Sequence, residues 1–281
     1  QYSGAINVKW FGAVGFPITI GSVDFKNSTF NLPSIKDFQP NAISLIGDVN
    51  NSFITNTGGG YFRFGAVGGS DRKITSLRGL NFTGDGKIVD AQAVFPINLH
   101  ECRFKDLGLG AIRYYQIYYG KMNDTILYAS QLDFENVNNY TIDGTDIHGE
   151  QTLSKFSSTD YAAVLNDCDR ISFKNLTFEG WKNRLIKATS SKALIFDNVW
   201  FEANTADKLI VSESSSDIHF DKCYLELYPS PTGAFISVDN SNVLGISREL
   251  NTLITVRDSY IRLNNSTGTN FKFTETTDGK S

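Results

Sequence analysis

The sequence predicts an all-β chain wound as a right-handed parallel β-helix, on three observations. One nine-residue pattern of alternating apolar positions recurs along most of the 281 residues. Its copies end 22–24 residues apart wherever no loop intervenes. Asn, Ser, Thr and Gly are abundant, while Pro (6) and Met (1) are scarce, a mixture suited to short strands joined by polar turns. A period in the low twenties with apolar alternation is one coil of a β-solenoid.

The pattern is clearest in Val23-Asp24-Phe25-Lys26-Asn27-Ser28-Thr29-Phe30, Ile171-Ser172-Phe173-Lys174-Asn175-Leu176-Thr177-Phe178, and Leu194-Ile195-Phe196-Asp197-Asn198-Val199-Trp200-Phe201. It returns at Ile218–Leu225 and Ile254–Ile261, with weaker copies ending at Phe82 and Phe104, a poor one at Phe53 and a distorted one over Leu132–Asn139. The first and third residues of each copy point inward by strand alternation. A polar pair such as Lys174-Asn175 turns a corner, and the sixth and eighth residues then point inward along a new direction. Cys102 and Cys223 fall on that sixth position, which reads as burial. Loops are expected between Leu225 and Ile261 and between Lys105 and Asn166. The expected organisation is an N-terminal cap segment over 1–22, the β-helix over 23–263 and a C-terminal tail over 264–281. A leucine-rich repeat would need a regular Leu frame, and a sandwich would show hairpin signals without a repeated motif.

Composition excludes several classes. A net charge of −4 with no basic run argues against a nucleic-acid partner, and no apolar stretch is long enough to span a membrane. Three scattered cysteines, Cys102, Cys168 and Cys223, match neither a disulfide framework nor a metal site. No cofactor is expected. The chain begins at Gln1 without a leader, so a fragment or processed product is expected.

The N-terminal Ile6-Asn7-Val8-Lys9-Trp10-Phe11-Gly12-Ala13-Val14-Gly15 resembles the start of the pectate-lyase-like β-helix of bacteriophage tailspikes and related polysaccharide depolymerases. That family usually continues into Asp-Gly, an Asp-Asp pair and a capping helix, whereas Phe16-Pro17-Ile18 follows here. The resemblance implies a homotrimer, a virion setting (a secreted one is the alternative) and a bacterial surface polysaccharide as ligand.

The repeat frame places candidate chemistry on one outer face. The residue after the closing apolar position is Glu179, Glu202 and Glu226 in successive copies, and the outward residue before it is Thr177, Trp200, Tyr224 and Tyr260. Carboxylates one rung apart repel, which favours one of them keeping its proton, and glycoside hydrolysis uses such an acid beside a carboxylate. Aromatic faces supply platforms for sugar rings. The same ladder also suits a subunit interface or a solvated face. A second candidate set is Asp143 and Asp146, as acid and base in Tyr140–Glu150, with His148 or Glu150 assisting; an Asp-Gly turn accounts for Asp143-Gly144 without chemistry. The run Tyr114–Tyr119 offers Tyr118 and Tyr119 as sugar contacts, or a strand with one face buried. The expectation is a glycan-binding chain that hydrolyses its ligand; a non-catalytic binder or spacer and a polysaccharide lyase are the alternatives, although no base beside a neutralising cation stands out for the lyase.

Overall fold

An isolated strand leaves all its backbone N–H and C=O groups unpaired, and parallel copies one coil above and one below satisfy them at a spacing of about 4.8 Å. A computed structural model of the chain describes residues 6–7, 22–38, 43–65, 74–149, 155–157, 159–182, 184–205, 210–213, 216–227, 236–239 and 254–263. Every described strand pairing is parallel, so the fold is an all-β parallel β-helix. Stacking reaches back to Ile6–Asn7, which pairs with Val23–Asp24.

Each coil contributes to three sheets, numbered here in chain order within a coil. The first sheet stacks Lys36–Phe38, Phe62–Gly65 and Val89–Gln92 under residues 112–115, 132–135, 163–166, 186–189 and 210–213. The second runs from Ser22–Asp24 through Ile43–Ile46, Thr75–Arg78 and Ile97–His100 to residues 120–123, 140–143, 171–174, 194–197, 218–221 and 254–257. The third carries the closing apolar residues, stacked as Phe30, Ile54, Phe82, Phe104, Leu127, Ile147, Phe178, Phe201, Leu225 and Ile261.

That column corrects the sequence frame in two places. Ile54 and not Phe53 closes its coil; Phe53 faces outward and is 42% exposed. Between Lys105 and Asn166 the strands Arg103–Asn123 and Ile126–Asp143 stack on each other as regular coils. The added length there follows His148, between its rung and that of Glu179. Tyr114–Tyr119 accordingly lies in a strand: Tyr114 and Ile117 are buried, while Tyr118 and Tyr119 are exposed.

The corner between the second and third sheets is made by one residue in the left-handed region in coil after coil: Asn27, Gly79, Glu101, Asp124, Gly144, Asn175, Asn198, Lys222 and Asp258, with φ between 48° and 64°. Asn and Asp tolerate this conformation and Gly adopts it freely, which is why the polar pairs recur in the sequence. The residue after the corner points inward, and where it is Cys102, Thr125, Thr145, Cys223 or Ser259 its thiol or hydroxyl donates to the carbonyl two residues back.

Inside, identical residues meet across rungs. Phe173, Phe196 and Phe220 stack at ring separations of 5.0 and 4.9 Å, and Phe178 on Phe201 at 5.1 Å. All three cysteines are buried and free. Burial pushes the Cys102 and Cys168 thiols up to about 12.

Two outcomes follow. Phe196→Ala leaves a void between two stacked rings and should cost about 3–5 kcal/mol in urea denaturation. The thiols should resist a thiol-reactive disulfide reagent in the native chain. Because folding raises their pKa, the stability they contribute is complete below the ordinary thiol range and is lost as pH rises from about 9 toward 12; thermal melts across that window measure it.

Candidate functional site

Outward residues of the third sheet form two parallel rows. Strand register stacks Asp146, Thr177, Trp200, Tyr224 and Tyr260 in one. The Trp200 and Tyr224 rings lie 5.3 Å apart, and Tyr224 stacks on Tyr260 at 5.3 Å and 11°. Trp200 is 49% and Tyr260 59% exposed, while Tyr224, held between their rings, is half-buried. The neighbouring row holds Lys105, Tyr128, His148, Glu179 and Glu202. Glu179 and Glu202 occupy adjacent rungs, and Glu179 Oε2 lies 3.4 Å from His148 Nδ1.

Glu226 does not continue that row in register. Between Phe201 and Asn204 the pairing with the next coil shifts, and Ala203 takes a φ of 52°. The bulge is pegged from inside by buried Asn204, whose amide donates to Phe178 O at 2.9 Å and accepts from Trp181 N at 2.9 Å. The expected ladder of three is therefore an in-register pair; the side chain of Glu226 lies outside the described residues, as do Glu150 and the Trp10–Gly15 motif.

Asp143 and Asp146 are separated by the corner at Gly144. Asp146 is exposed on the third sheet, whereas Asp143 lies in a second-sheet row that runs from His100 and Asn123 through it to Lys174, and it accepts from Asn175 Nδ2 at 2.9 Å. Asp143 and Tyr119 both line an open recess of about 400 Å³ on the second sheet; Asp146 does not reach it. Tyr118, beside this recess, packs on Phe95 at 4.9 Å.

The first sheet carries a constellation outside the repeat frame. Register aligns Asp37, Arg63, Asp90, Arg113 and Asp133 in one outward row. Asp90 is 1% exposed and receives Lys87 Nζ at 2.8 Å and the Gln92 amide. Lys87 also sits 4.0 Å from the centre of the Tyr61 ring, and Arg63 donates to Tyr61 Oη at 2.7 Å. At the upper end Arg113 reaches two carboxylates of the next coil, Asp133 at 3.9 Å and Glu135 at 3.5 Å. Burial raises the Asp133 carboxyl above its ordinary range; Arg113 opposes the shift, and the charges of Glu135 and Asp90 add to it. An acid and a carboxylate in unlike surroundings are what acid–base catalysis uses. Among the described residues no group of His, Cys, Asp and Glu is arranged to hold a metal ion.

The chain is thus a parallel β-helix that displays aromatic, acidic and mixed-charge rows on separate outer faces. No family model matches it, and no curated protein does. A similar solved structure is the A-module of the mannuronan C-5 epimerase AlgE4 of Azotobacter vinelandii, at 13% identity and a TM-score of 0.31, covering 96% of this chain and 100% of that one. The fold rests on the strand pairing above, independently of that likeness.

Carbon-13 NMR of the Asp133 carboxyl should give a titration midpoint above that of an ordinary aspartate. The midpoint should rise further in Arg113→Ala and fall in Glu135→Gln, following the signs of those neighbours.

Proposed function

We propose that this chain binds a bacterial surface polysaccharide along the Trp200–Tyr224–Tyr260 row and hydrolyses it, as part of a homotrimeric phage tailspike. The observation that carries the reading is the row itself: three stacked aromatic side chains on successive coils, exposed at Trp200 and Tyr260, beside in-register carboxylates. Sugar C–H faces pack on such rings as other apolar groups do, and carboxylates accept from the hydroxyls. The same row in a trimer interface is the competing arrangement, and binding data separate the two.

On this face Glu202, flanked in the sequence frame by Glu179 and Glu226, forms the acid/base set with them. Adjacent rungs put such groups about 5 Å apart, the separation of a retaining mechanism. A second reading places the hydrolytic pair on the first sheet, favoured by the raised Asp133 carboxyl and its fork to Arg113. There Asp133 gives its proton to the leaving oxygen, and Glu135 takes one from the attacking water. Two residues apart on a strand, their Cα atoms lie about 6.6 Å apart, closer to the spacing of an inverting mechanism.

The test is reducing-end release from a set of purified capsular and O-antigen polysaccharides. Trp200→Ala should weaken binding about tenfold or more. Glu202→Gln should slow release by about 10²–10⁴-fold with retention at the anomeric carbon. Loss in Asp133→Asn instead, with inversion, selects the second pair. Binding without release by the unmodified chain leaves a non-catalytic binder. Light scattering should give three times 31.2 kDa; a monomeric mass removes the trimer.

A further inference from the structure

The recess on the second sheet is unrelated to the aromatic row and is built from residues of three successive coils. Asn98, Lys121 and Thr141 stack in one outward row, with His100, Asn123 and Asp143 two residues further along the same strands. Tyr119 rises beside them with 64% of its surface exposed. Tyr119 has a φ of 63°, the left-handed corner conformation that Asn139, Arg170, Ala193 and Asp217 take at the same place in the following coils, and Gly120 follows at 151°. A Cβ on Gly120 would overlap Ile97 O and crowd the Tyr140 ring.

The polar groups converge with complementary capacities. One Asp143 oxygen is held by Asn175 Nδ2 at 2.9 Å, which fixes the carboxylate and leaves its other oxygen to accept. The Asn98 carbonyl takes the Lys121 amide N–H at 3.1 Å, so its own amide nitrogen is left to donate. In the orientation that satisfies both groups, Asn123 accepts from Lys121 Nζ at 3.2 Å, which holds the ammonium at the recess with donors to spare. Lysine and aspartate balance each other's charge.

We infer that this recess is a separate binding site for one neutral pyranose residue, with Tyr119 against the C–H face of the ring and Asp143, Lys121 and Asn98 on its vicinal hydroxyls. A flat apolar face with fixed donors and acceptors at its edge is the chemistry of a sugar, and the about 400 Å³ of the recess is of small-ligand size. The inference rests on the glycan reading above for its ligand class and on the recess alone for its place. Two grips on one polymer raise the effective concentration at the second.

The experiment is an amide-shift titration of the full chain with the methyl glycosides of galactose, glucose, mannose and glucuronic acid. At least one neutral glycoside should shift the amides of Lys121, Asn123 and Asp143 with millimolar affinity. Tyr119→Ala and Asp143→Ala should each weaken it at least tenfold. Trp200→Ala should leave it unchanged, so a failure of the aromatic row and a failure of the recess are told apart. The inference is overturned if none of the sugars shifts those amides, if binding survives Tyr119→Ala, or if the glucuronide alone binds.

Discussion

Everything on the surface of this chain follows from the in-register parallel stacking of its coils. Each backbone strand is satisfied by the coil above and below, so a residue's lateral neighbours are set by register rather than by side-chain choice. Inside, that constraint turns repeated Phe into continuous stacks such as Phe173–Phe196–Phe220. Outside, it turns repeated polar and aromatic residues into straight rows about 4.8 Å per rung.

Rows of this kind carry different costs. Aromatics in a row attract one another, so Trp200, Tyr224 and Tyr260 stack while open to solvent. Carboxylates in a row repel, and the chain interleaves them with cations on the first sheet, where Asp90, Arg113 and Asp133 alternate. On the third sheet Glu179 and Glu202 stand adjacent with His148 at one end, an arrangement that gains from a ligand donating to them. The three faces are thus a charge-compensated wall, a polar recess and an aromatic row on one rigid scaffold.

The second and third sheets were legible because their shared corner is short and constant. One left-handed residue joins them in coil after coil, so Lys174-Asn175 and Asp197-Asn198 mark the same place and the apolar positions on either side stay in phase. That phase predicted the inward cysteines and the Trp200–Tyr224–Tyr260 row. It failed at Glu226 because the bulge hangs on Ala203, a residue type with no turn signature, and on the buried Asn204 behind it. The first sheet was missed for a different reason. The connections leading into it from the third sheet vary in length, so the closing apolar residues did not carry the phase to Asp90, Arg113 and Asp133. The meeting of Tyr119 with Asp143 was hidden likewise, since Tyr114–Tyr119 read equally as an inserted wall and as a strand.

The central claim is that the row Trp200–Tyr224–Tyr260 is an open glycan-binding face and not the inside of a subunit contact. Hydroxyl-radical footprinting with mass spectrometry measures this directly, with and without polysaccharide. The three side chains should label readily in the free protein at working concentration and become protected when a cognate polysaccharide is added. Protection already present in the free protein, or labelling that a bound polysaccharide leaves unchanged, would contradict the account.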